Sequence, residues 1–131
     1  MKRTRKNYQN WMDTKARVNN KGAIRSFREG EIWWAAVGEN VGVEIDGKSQ
    51  KYSRPVVILR KYSNLLFAAT PLTSKIHYGT WYMQFIFQGK METAALAQTR
   101  PMDVLRLYER MGKLSRKDYE QIRDGYMNLF R

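Results

Sequence analysis

Cysteine is absent from this 131-residue chain, which excludes disulfides and thiolate zinc sites. Its one histidine, His77, is too few for an imidazole zinc site and rules out a two-histidine acid–base pair. No apolar run approaches the roughly 20 residues that a membrane-spanning helix needs. The basic start, Met1-Lys2-Arg3-Thr4-Arg5-Lys6, leads into Asn7-Tyr8-Gln9-Asn10 rather than an apolar segment, so no signal-peptide pattern is visible. Cytoplasm is therefore the expected compartment. The chain has no internal repeat and no low-complexity tract. Metals, cofactors and membrane anchorage are not expected of it.

What remains is a chain suited to one domain with a real core: 43% of residues are hydrophobic and 13% are aromatic. Its formal charge of +12 is unevenly spread. Residues 1–28 hold nine Lys/Arg against one acid, Asp13, whereas the other residues hold fifteen against eleven. Most of the excess thus lies in an N-terminal extension. Such an excess calls for a polyanionic partner, nucleic acid or acidic protein. Within the extension, Tyr8, Trp11, Met12 and Ala16 fall near one face of a short amphipathic helix that Gly22 would stop. Its basic side either stands in water while the helix packs on the domain, or contacts RNA.

Beyond residue 28 the pattern turns to strands. Glu31–Val37 carries Trp33 and Trp34 at adjacent positions, which point to opposite faces of a strand. One belongs in the core; the other is available to stack a base or enter an interface. Gly38–Ser53 reads as a long glycine-bearing loop. Val56–Arg60 and Leu65–Thr70 flank Tyr62-Ser63-Asn64, a hairpin signal, with Pro55 at a strand entrance. Trp81–Phe87 alternates, with Trp81, Phe85 and Phe87 read as core. Gln88-Gly89-Lys90 turns the chain, and Thr93–Gln98 reads as another strand. Asp103–Arg110 reads as one or two helical turns. Ser115 with Asp118 resembles a capping box, and Tyr119, Ile122, Tyr126 and Leu129 follow at helical spacing, with Met127 and Phe130 widening the stripe. Strands first and a helix last predict a β-rich α+β domain, a small half-open barrel closed by a C-terminal helix.

The polar residues gather at predicted strand ends, where a sheet can hold them rigidly. They are Arg54, the acid Glu44 of Gly42-Val43-Glu44, and Thr73-Ser74-Lys75. In order along the chain, Gly30-Glu31-Ile32-Trp33, Gly42-Val43-Glu44, Arg54-Pro55-Val56-Val57-Ile58 and Pro71-Leu72-Thr73-Ser74 resemble the MazF/PemK toxin family. Ala94-Ala95-Leu96-Ala97-Gln98 through Asp103, Arg106-Leu107 and Met111-Gly112-Lys113-Leu114-Ser115 continue the resemblance, which spans about residues 29–130. Residues 1–28 then form a basic extension and 29–131 the toxin-like domain. The resemblance implies an SH3-like barrel with a C-terminal helix, paired as a homodimer. It implies a toxin of a type II toxin–antitoxin system, with metal-independent endoribonuclease activity on single-stranded RNA. The expected partner is an acidic antitoxin lying over the RNA groove.

Cleavage of that kind uses the substrate's own 2′-hydroxyl. The enzyme must remove its proton, stabilise the phosphorane and protonate the leaving 5′-oxygen. Arg54 suits charge stabilisation, because its planar fork can hold two phosphate oxygens. Thr73 pairs with Arg54 in the family's site and can orient the phosphate. Glu44 completes the expected catalytic set by positioning the 2′-hydroxyl or accepting its proton. Ser74, Lys75, Gln98, Lys51 and His77 are the expected RNA-binding residues, with Gln98 at the position of a family glutamine near the groove. Some branches carry an arginine and an aspartate just upstream of that glutamine. Here those positions are Ala95 and Ala97, and Val43 replaces a histidine found in some members. The segment Asp46–Lys51 lengthens the loop before Arg54. Two other functions compete: a non-enzymatic gyrase inhibitor on the related CcdB-type barrel, and a decayed relative that only binds RNA or antitoxin.

Overall fold

A computed structural model describes residues 25–37 and 53–131. The helix expected over Tyr8–Val18 and the loop carrying Glu44 and Lys51 lie outside the described residues. Among the described residues, seven strands form one curled antiparallel sheet: β1 Glu31–Ala36, β2 Ser53–Lys61, β3 Leu66–Thr73, β4 Tyr82–Phe87, β5 Lys90–Ala95, β6 Arg100–Asp103 and β7 Leu107–Lys113. Their order is β4-β5-β3-β2-β1-β7, with β6 on β3, and a helix, α1 (Arg116–Asn128), follows. This is the predicted β-rich α+β half-barrel.

Strand β2 explains the layering. Its run Val56-Val57-Ile58-Leu59 is buried on both faces, the sign of a central strand. Val56 and Ile58 pack with Phe27, Trp33, Phe67 and Leu107 on one side. Val57 and Leu59 pack with Ile32, Leu72, Phe85, Leu96 and Ile122 on the other. Each fully buried Leu, Ile or Phe contributes roughly 1.5–3 kcal/mol of transfer free energy. Phe27, close to the start of the described chain, anchors the first layer by a tilted ring contact with Phe67 at 5.1 Å.

Helix α1 covers the second layer. Ser115 Oγ accepts the Asp118 N–H at 3.1 Å, the predicted N-cap. Ile122 is buried, and the Tyr119 hydroxyl donates to the Leu59 carbonyl at 2.8 Å. Gly125 lets the helix approach closely, since a Cβ there would lie 3.0 Å from Leu96 Cδ1. Gly30, at φ 87°, occupies the left-handed region and threads β2 to the helix entrance: its N–H reaches the Ile58 carbonyl and its carbonyl accepts from Leu114.

Four sequence expectations change. The strand expected over Thr93–Gln98 begins at Lys90 and ends at Ala95, and Leu96–Gln98 is a 3₁₀ turn. Gln88 and Gly89 both take positive φ, the primed-turn geometry of a two-residue hairpin, which starts β5 early. Asp103–Arg110 is not helical beyond a 3₁₀ turn at Val104–Arg106, which the Asp103 carboxylate initiates by accepting the Leu105 N–H. The chain then extends as β7 because β1 offers it an unpaired edge. Trp81 precedes β4 and is 63% exposed; its carbonyl, not its ring, is used, accepting from the Leu96 N–H. Phe87 is half-buried, and only Phe85 of that trio is fully in the core. Met127 and Phe130 are exposed, so the helix buries a narrower stripe than its spacing suggested.

Candidate functional site

The half-barrel is not closed by continuous hydrogen bonding between β4 and β7. Instead the β4–β5 turn leans on β7: the Gln88 side-chain amide donates to the Met111 carbonyl at 3.2 Å, and the Phe87 ring sits against Gly112. Beside this contact the sheet leaves an open cleft of about 230 Å³. Residues from five strands line it, including Trp34, Ser53–Pro55, Leu72–Ser74, Lys90, Glu92 and Met111.

Arg54 enters this cleft from the start of β2. It is only 4% exposed, and its Nη1 donates to the Leu72 carbonyl at 3.0 Å. A guanidinium is charged at any accessible pH. Held in this way it is a fixed cation at the wall of an open cleft. Thr73 ends β3 one residue beyond that carbonyl, buried, with its Oγ1 accepting the Lys75 N–H at 3.2 Å. This ST-type turn directs Ser74 and Lys75 outward, and both are exposed. Ser74 lines the cleft with Arg54 and Thr73.

The two tryptophans divide as alternation requires. Trp33 is buried, and its indole N–H donates to Glu31 Oε1 at 3.0 Å. Trp34 is half-buried, opposite Pro55, and faces the cleft. Glu31 itself is a structural acid. It also accepts from the Arg28 main chain and from Arg110 Nε, each at 2.9 Å. Burial pushes its carboxyl up, but these three partners outweigh burial and hold it below the ordinary value of 4.5.

Lys75, Gln98 and His77 are not among the residues lining the cleft. His77 is half-buried and stacks on Tyr82 at 4.7 Å, while its carbonyl accepts from the Gln84 side chain. Gln98 ends the 3₁₀ turn after β5, half-buried. Next to it, Thr99 shares a 2.7 Å hydroxyl contact with Thr70 of β3. Glu44 and Lys51 fall outside the described residues.

The residue that sequence reasoning missed is Glu92. It lines the cleft and is half-buried; burial raises its carboxyl above 4.5, an effect that Lys90 opposes in part. No local pattern marks it, because it sits between Met91 and Thr93 on an edge hairpin. Only the pairing of β5 with β3, Leu72 with Ala94 and Thr73 with Thr93, carries it to the wall.

Among the described residues no group of three or more acids, histidines or cysteines could hold a metal, and no helix is long and apolar enough to cross a membrane. Residues 28–130 match the family described as PemK-like, MazF-like toxin of type II toxin–antitoxin system. No curated protein matches the sequence. Among solved structures, Mycobacterium tuberculosis toxin MazF-mt6 is similar at 16% identity, with a TM-score of 0.57 over 76% of this chain and 95% of that one. MazF from Deinococcus radiodurans is similar at 16% identity and a TM-score of 0.57, over 81% of this chain and 97% of that one. At such identity these likenesses bear on the fold alone.

Proposed function

The chain belongs to the PemK-like, MazF-like toxin family of type II toxin–antitoxin systems, and we propose that it is a metal-independent endoribonuclease acting on single-stranded RNA. The observation that carries this reading is Arg54: a buried guanidinium, tethered to the Leu72 carbonyl, beside the Thr73 hydroxyl in an open cleft.

The chemistry follows from that arrangement. RNA carries its own nucleophile, the 2′-hydroxyl next to each phosphodiester. Attack on phosphorus places extra negative charge on the non-bridging oxygens. Arg54, already oriented by Leu72, stabilises that charge without reorganising. Thr73 and Ser74 supply hydroxyls that fix the phosphate in line. Trp34 offers a flat apolar surface on the cleft wall, where stacking of a base is worth roughly 1–3 kcal/mol. The products are a 2′,3′-cyclic phosphate and a 5′-hydroxyl.

The basic balance of the chain, +12, suits both the RNA and an acidic antitoxin that competes for the same cleft. We expect the toxin to act as a homodimer in the cytoplasm. The test is incubation of purified protein with single-stranded RNA in excess EDTA, followed by mapping of the ends. Cyclic phosphate and 5′-hydroxyl ends, lost in Arg54→Ala while the fold persists, are the expected result. Loss of cleavage on chelation, or full activity in Arg54→Ala, overturns the reading.

A further inference from the structure

Arg54 cannot serve as a base, since its guanidinium does not release a proton in the working range. Neither Thr73 nor Ser74 accepts a proton readily, and Lys90 is a cation. His77 is stacked on Tyr82, away from the cleft lining. The described wall of the cleft therefore contains one group able to take a proton from a 2′-hydroxyl, the carboxylate on β5.

We infer that Glu92 is the proton acceptor of the cleavage reaction, an inference that rests on the ribonuclease reading above. Three structural facts support it. Glu92 stands opposite Phe85 in the β4–β5 register, and Phe85 is buried, so the carboxylate lies where the core layer opens into the cleft. It shares the cleft wall with Arg54 and Thr73, the groups that would hold the phosphate. Among the described residues, no hydrogen bond or salt bridge occupies its oxygens, in contrast to Glu31, whose carboxylate is fully engaged. A carboxylate held for structure looks like Glu31. A carboxylate held for proton transfer needs its lone pairs available.

The charged neighbours suit the role. Lys90, two residues earlier on the same face of β5, favours the ionised form, and Arg54 lines the same cleft from β2. Burial works against ionisation and prevails, which makes the group a stronger base than an ordinary surface glutamate. The step balances. The 2′-O–H proton passes to a Glu92 oxygen as the 2′-oxygen bonds to phosphorus. The bond from phosphorus to the 5′-oxygen then breaks, and that oxygen takes a proton from water. The hydroxide so formed recovers the proton from Glu92.

The test compares wild type, Arg54→Ala, Glu92→Gln, Glu92→Asp and Glu44→Gln, each checked for folding by circular dichroism. Substrate is a short single-stranded RNA. Its affinity is measured on a non-cleavable copy carrying 2′-deoxyribose at the cut site. Glu92→Gln should lower kcat by about 10²–10⁴-fold. It should abolish the rise of kcat/KM with pH expected of wild type, and leave Kd within about threefold. Glu92→Asp should restore part of the rate together with the pH dependence. If wild type cuts and Glu92→Gln keeps both its rate and its pH dependence, the inference is overturned while the ribonuclease reading stands. A pH dependence that vanishes only in Glu44→Gln overturns it too, by assigning the base to the loop acid. A slow Glu92→Gln with the wild-type pH profile means a structural role and equally overturns it. Absence of cleavage by wild type overturns the ribonuclease reading and this inference with it.

Discussion

The Nη1 of Arg54 donates to the main-chain carbonyl of Leu72 at 3.0 Å, and Leu72 is the residue just before Thr73. One hydrogen bond thus sets the spacing between the cation at the start of β2 and the hydroxyl at the end of β3. It also makes the guanidinium geometry part of the sheet rather than of a loop.

Arg54→Lys keeps the charge but not the fork. A lysine cannot satisfy the Leu72 carbonyl and clamp two phosphate oxygens together. We expect the variant to fold and to lose about 10²-fold or more in RNA cleavage rate, read from single-turnover assays. Wild-type rates in Arg54→Lys would count against bidentate phosphate recognition.

Thr73 separates along its hydroxyl. Thr73→Ser retains the oxygen that accepts the Lys75 N–H and should cleave within a few-fold of wild type. Thr73→Val removes it and should lose about 10–100-fold, the worth of one hydrogen bond to a charged group. Equal rates for Ser and Val would show that the hydroxyl has no part in the reaction.

Glu31 gives the fold an acid sensitivity of known sign. Its folded carboxyl lies below 4.5, so its stabilisation is complete above that value and fades as pH falls through the folded value. Glu31→Gln should cost about 1–3 kcal/mol at pH 7 by urea unfolding. The gap between variant and wild type should narrow in acid. A gap that stays constant from pH 7 to pH 3 would contradict this account.

Gly112 marks where the barrel closes. A Cβ there would stand 2.8 Å from Phe87 Cζ and 3.2 Å from Gln88 Nε2. Gly112→Ala should cost about 1–3 kcal/mol through overpacking. Phe87→Leu, which shortens the ring's reach, should return part of that cost in a double-mutant cycle. Additive losses would show that the two residues do not press on each other.

Thr93, the register partner of Thr73, is fully buried, and its Oγ1 has no hydrogen-bond partner among the described residues. Thr93→Val replaces the hydroxyl with a methyl of similar shape on a strand that favours β-branched residues. We expect a gain of about 1 kcal/mol, seen as a higher Tm. A loss of similar size would mean that the hydroxyl is satisfied in solution.

Much of this is legible in the amino-acid sequence. Strict alternation separated Trp33 from Trp34, and a Ser–Asp spacing located the helix start, because both depend on residues close in sequence. Arg54 and Thr73 could be singled out because they punctuate strands. Strand β7 was hidden for the opposite reason. Residues Leu107–Lys113 have no strong pattern of their own, and become a strand by pairing with β1 some 75 residues earlier. Trp81 and Phe130 misled because spacing marks a face without saying whether anything covers it.

The sequence by itself determined the excess of positive charge, the exclusion of thiol chemistry, the strand-then-helix order and the residues at two strand ends. Those properties are either compositional or local. The tertiary structure alone decided which walls meet. Pairing of β5 with β3 brings Glu92 into the cleft with Arg54, and the lean of the β4–β5 turn on β7 leaves that cleft open beside it. Register between strands far apart in the chain is set by packing of two core layers, and no short window of residues encodes it.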